Sequence, residues 1–135
     1  MRLFSFETTS GRPLTSWTDE KGNKHRVDPK TSKVVVSPIF LTEGGRSRFA
    51  CFHIGPGGFV PRHPAAGEPQ LFAVVAGSGW VAGSDDRRVP IKAGQAALWD
   101  VGEMHESGTD DGMTAIVVHW TDAYDPAKLM REIRS

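Results

Sequence analysis

Short runs of β-branched and aromatic residues, each broken by glycine or proline, recur along this 135-residue chain and leave few folds open to it. Val34-Val35-Val36 and residues 39–42 flank Pro38, which marks a strand start or an edge. Residues 49–54 (FACFHI), 70–76 (QLFAVVA), 79–82 (GWVA), 89–91 (VPI), 95–99 (QAALW) and 114–120 (TAIVVHW) follow, separated by clusters such as Glu43-Gly44-Gly45 and Gly83-Ser84-Asp85-Asp86. Short strands punctuated in this way predict an all-β sandwich or barrel. Only the tail reads otherwise. Asp125 suits an N-cap, Pro126 the first helical position, and Leu129, Met130 and Ile133 form one apolar stripe, predicting a single C-terminal helix.

The domain reading is an N-terminal extension over 1–37, a barrel over 38–121 and the helix over 122–135. Within the extension, residues 2–8 suggest a short edge strand, and the polar run Asp19 to Lys24 a solvated hairpin tip. Sixteen acidic and sixteen basic residues cancel, so no electrostatic footprint for nucleic acid or anionic membrane exists. No apolar run approaches the ~20 residues of a membrane span, and Glu7 interrupts the N-terminus too early for a secretory apolar core. The expectation is a cytoplasmic protein. Its one cysteine, Cys51, sits in an apolar run and reads as a small buried hydrophobe.

Chemistry gathers between Gly57 and Gly77, GGFVPRHPAAGEPQLFAVVAG. The first half reads as a loop opened by Gly57-Gly58 and stiffened by Pro61 and Pro64, with His63 between the prolines. The second half, from Gln70 to Ala76, reads as a strand buried on both faces and stopped by Gly77. A second histidine, His105, lies in an apparent loop over 100–111.

These residues resemble the two motifs of the cupin superfamily, small jelly-roll β-barrels. The first family motif is Gly, five residues, His-x-His, three or four residues, Glu, six residues, Gly. Gly57, His63, Gln70 and Gly77 fit its spacing, with Ala65 at the second His position and Gln70 at the Glu position. A register placing Pro61 and His63 at the two His positions and Glu68 at the carboxylate leaves eight residues, not six, before Gly77. The first register is preferred. The second family motif is Gly, five residues, Pro-x-Gly, two residues, His, three residues, Asn. Gly94, Gly102 and His105 match it, with Asp100 for Pro and Thr109 for Asn. The resemblance covers about residues 39–120.

In the family, three histidines and a glutamate converge on a divalent metal inside the barrel. The resemblance therefore implies a weakened metal set of His63, Gln70 and His105, with Zn, Fe, Ni or Mn as candidate ions. Neutral imidazole suits such ions, but an amide oxygen brings no charge to offset a cation. The alternative is a metal-free polar pocket. Alternation from Gln70 puts Phe72 and Val74 on its inward face, and Ala65, Trp80 and Trp99 are further candidates for its lining. His53 and His119 read as structural or surface groups, and Glu103 and Glu106 as solvated charges at the mouth.

Two functions follow from the resemblance: a module binding a small, partly apolar molecule, or a metal-dependent oxygenase or isomerase with His63 and His105 as ligands. Barrels of the family often pair, and the extension suits strand addition to a partner, so a homodimer is expected.

Overall fold

The computed structural model describes residues 1–133 apart from Glu20, Ala66 and Ala123. Eleven strands carry the fold: β1 (Arg12–Pro13), β2 (Ser16–Thr18), β3 (Lys24–Arg26), β4 (Val34–Leu41), β5 (Ser47–Ile54), β6 (Phe59–Pro64), β7 (Gln70–Ala82), β8 (Arg88–Lys92), β9 (Ala96–Trp99), β10 (Met104–Gly108) and β11 (Met113–Trp120). One sheet runs in the order β1-β4-β5-β11-β7-β10-β6, with β8 and β9 also paired to β7; β2 and β3 form a separate hairpin. The architecture is all-β, as the turn spacing predicts.

The 13-residue β7 is the spine. Its first half, from Gln70, pairs with β11 and β9. Its second half pairs with β10 and β8. Gly77 does not stop the strand, as the sequence suggests, but bends it: its φ of 75° lies in the left-handed region, beside a register shift between Thr114 and Ala115. Inward side chains of both halves then meet in one core that includes Val34, Ile54, Val60, Phe72, Val74, Val81, Trp99, Ala115 and Val117.

Three further expectations are corrected. The segments holding His63 and His105 are not loops but β6 and β10. β6 tolerates Pro61 because it pairs only with β10 and forms the end of the sheet. The C-terminal helix is a 3₁₀ turn, Pro126–Lys128. Asp125 does cap it, accepting from the Ala127 amide at 3.0 Å, but Leu129 and Ile133 stay exposed, so no packing supports a longer helix. Glu20 of the hairpin tip, and Ala123, Arg134 and Ser135 of the tail, lie outside the described residues. Residues 2–6 form no strand; a 3₁₀ turn, Thr8–Ser10, follows them.

No helix among the described residues is long and apolar enough to cross a membrane. Cys51 is buried, and burial pushes its thiol pKa up.

Candidate functional site

His63 and His105 face each other across the β6–β10 ladder. Their ring centroids are 4.0 Å apart with planes at 57°. His63 Nδ1 lies 2.6 Å from the Pro61 carbonyl. A carbonyl only accepts, so Nδ1 carries the hydrogen and Nε2 keeps its lone pair. His105 is 2% exposed, and neither ring nitrogen has a hydrogen-bond partner. Trp99 packs on its other side, 4.9 Å between centroids.

A second polar pair faces the first. His119 on β11 is in register with Gln70 on β7, and its Nε2 donates to the Gln70 Oε1 at 3.0 Å. Of the structural and surface roles its sequence context suggests, His119 thus takes the first: it lies at the cavity wall, bonded to Gln70. The signal was the alternation of β11: Ala115 and Val117 point inward, and His119 is the next residue on that face.

Burial dominates the protonation of all three imidazoles, since an apolar surround disfavours the charged form. It pushes His105 down to about 3, with His63 beside it adding to the effect and the Glu103 backbone, near the ring but outside good hydrogen-bond geometry, opposing it. His119 falls to about 4, through burial first and then the Arg48 guanidinium. His63 is also lowered by burial, with the Pro61 carbonyl opposing the shift. At neutral pH the site holds three uncharged rings.

The four polar groups line a cavity of about 230 Å³ with Phe52, Val60, Phe72 and Ser107. Its roof is the β2–β3 hairpin, which contributes Ser16, Trp17 and Thr18. Trp17 stands 5.8 Å from the His63 ring and stacks on His25 at 4.1 Å and 11°. His25 Nε2 lies 2.9 Å from the Asp19 carboxylate, which it holds below the usual carboxylate range. Nothing in the sequence flagged Trp17, because its cavity neighbours, His63 among them, are far away along the chain and only His25 is near.

Among the other candidates, Phe72 lines the cavity, while Val74 lies in the core beyond it. Trp99 backs His105 and donates to the Ala82 carbonyl at 3.1 Å. Trp80 lies under the Arg88 guanidinium, 3.7 Å away. Ala65 is buried just beyond β6, its amide donating to the Glu103 carbonyl. The Glu103 carboxylate accepts from the Asp100 amide. Glu106 is half-buried in β10, in register with Ala82. His53 sits 2.9 Å from the Phe6 carbonyl. Glu68 pairs with Arg48 rather than turning to the histidines. Thr109, at the second motif's Asn position, donates to the Ser78 carbonyl at 2.6 Å and accepts from Gly112, tying the β10–β11 turn to β7.

The donor set fits a resident divalent ion poorly. Among the described residues no group of three His, Cys, Asp or Glu is placed to hold one. The Gln70 oxygen is spent on His119, Ala65 offers no donor, and no carboxylate lines the cavity. A larger and more open depression of about 380 Å³, lined by Thr8, Lys33 and His53 among others, contains none of the motif histidines.

No family model matches the chain, and no curated protein matches it. Solved structures do resemble it in fold. A predicted oxalate decarboxylase from Thermotoga maritima is 21% identical with a TM-score of 0.63, the match covering 88% of this chain and 100% of that one. The cupin domain of Cnp3 from Schizosaccharomyces pombe is 13% identical with a TM-score of 0.62, covering 78% and 82%. KdgF from a Halomonas species is 16% identical with a TM-score of 0.58, covering 73% and 86%.

Proposed function

We propose that this chain, which has the cupin fold, binds a small molecule in the cavity roofed by Trp17, at the position of a weakened metal site. The observation that carries this reading is His105. A buried polar group without a partner costs about 1–3 kcal/mol, and both His105 nitrogens are in that state. The His105 ring borders the cavity with both nitrogens just beneath its surface, so a small turn of the imidazole presents one of them to a ligand. A ligand that hydrogen-bonds to them offsets the cost and accounts for the residue. Pockets for drug-sized ligands run to about 300–1,000 Å³; at about 230 Å³ this one suits a compact molecule. The test is binding to chelator-treated protein prepared without a His-tag. Small-molecule binding should be detected with no metal present and should be lost in His105→Leu. Binding that appears only after a metal is restored would overturn it.

A second reading, a metal-dependent oxygenase or isomerase, draws support from the adjacent His63 and His105 and their free lone pairs. Elemental analysis of the same untagged protein separates the two. Stoichiometric Zn, Fe, Ni or Mn, lost in His105→Ala, favours the second.

A further inference from the structure

Met1, Leu3 and Phe4 are the most exposed large apolar side chains among the described residues, Leu3 at 86% and Phe4 at 80%. They belong to an arm, residues 1–6, that forms no helix or strand. Its root is fixed. Gly11 lies so close to Val35 and Ser37 that no Cβ would fit there. The Ser37 hydroxyl donates to the Glu7 carbonyl at 3.4 Å, and His53 Nε2 donates to the Phe6 carbonyl at 2.9 Å. His53 shares the outer face of β5 with Phe49, four residues before it. From Glu7 at Ser37 to Phe6 at His53 the chain steps off β4 onto β5. The arm therefore leaves on the outer face, heading away from the free edge of its own β4.

We infer that residues 1–6 are exchanged between two copies of this chain, each arm adding a short strand to the free stretch of the other copy's β4. β1 covers β4 only at Val35 and Val36, and among the described residues Phe40 and Leu41 pair with β5 alone. Such an edge is a template for a further strand. Phe40 and Leu41 are consecutive, so they point to opposite faces, and both are exposed. A strand that covers them must carry one apolar residue on each face. Leu3 and Phe4 are consecutive and apolar, and meet that requirement. Reach is sufficient, because packed sheets lie about 10 Å apart while six extended residues span about 20 Å. The arm can cross the gap and still lie along the edge.

The test uses the full chain. Arg2→Cys places a nitroxide spin label on the arm, with Cys51 buried and left unlabelled. Mixed with ¹⁵N-labelled parent, it should broaden the Phe40 and Leu41 amide signals of the parent copy. The amide of this pair that faces away from β5 should be protected from hydrogen exchange in the parent. Phe4→Ser should remove that protection and weaken the dimer, followed by light scattering on dilution, about tenfold or more, the effect of losing one buried aromatic side chain from each arm. A monomeric parent, a dimer whose affinity Phe4→Ser leaves unchanged, or broadening seen only when label and ¹⁵N sit on one chain would each overturn the exchange. None of these outcomes bears on what the cavity binds.

Discussion

His105 shows how a single side chain can carry a stability cost that depends on pH. Its folded pKa, about 3, lies below the ordinary value of 6.5. As pH falls below 6.5 the unfolded chain takes up this proton and the folded protein does not. Stability is therefore fully present above about pH 6.5 and declines toward acid, at about 1.4 kcal/mol per pH unit for one such group. Between pH 6.5 and 5, urea unfolding of His105→Gln should show a shallower decline than the parent, by about one proton. Parallel curves would mean that the ring is not held neutral by burial. The Ala65 and Gln70 positions invite a second test at this scale. Replacing both, Ala65→His with Gln70→Glu, adds an imidazole and the anion that the site lacks. Zinc or nickel affinity by calorimetry should rise by orders of magnitude; equal affinity in variant and parent would refute the assignment of these two residues to the weakened metal positions.

At the scale of elements, β7 explains both what the sequence disclosed and what it concealed. Its apolar alternation was legible: Gln70, Phe72 and Val74 are all buried. Its length was not, because glycine in a strand pattern ordinarily signals an end, whereas Gly77 here bends one continuous strand between two sets of partners. A Cβ at Gly77 would press into the Gly112 carbonyl, and the φ of 75° would be strained as well. Gly77→Ala should destabilise the protein by more than about 1 kcal/mol, read as a lower urea midpoint; an unchanged midpoint would show that the bend is not required. β6 and β10 were concealed for a different reason. Pro61, Pro64 and Gly102 look like loop residues, and only the β6–β10 ladder, with the pairing of β10 to β7, makes those segments strands. The motif spacing brought these two residues and Gln70 to notice, although local periodicity did not. The hairpin carrying Trp17 was legible from its polar tip, but its placement over the cavity and the partnership of Gln70 with His119 depend on contacts distant in sequence, beyond the reach of any window of the chain.

For the molecule as a whole, the outer face of the sheet argues for self-association. One residue from each of five adjacent strands falls in a single row: Phe40, Phe49, Val118, Leu71 and Leu98. Phe40 is 47% exposed, Leu98 40% and Phe49 38%, and the Phe40 and Phe49 rings are already in contact, 5.0 Å between centroids. Apolar rows of this kind on a folded chain mark contact surfaces more often than plain surface. The edge beside the row is open as well, because β1 pairs with β4 only at Val35 and Val36. Phe40 and Leu41 therefore have β5 on one side and, among the described residues, no strand on the other. Val34, Val35 and Val36 need no partner subunit, since β5 pairs with all three; the row and the open edge are what a second copy would cover. A two-fold arrangement buries the same row on both subunits and removes both edges together. Light scattering at micromolar concentration should give twice the 14.7 kDa chain mass. Phe49→Glu should return the mass to that of one chain with the β-sheet circular dichroism unchanged. A parent protein that already scatters as a monomer would end the proposal, and a dimer that survives Phe49→Glu would move the interface off this face.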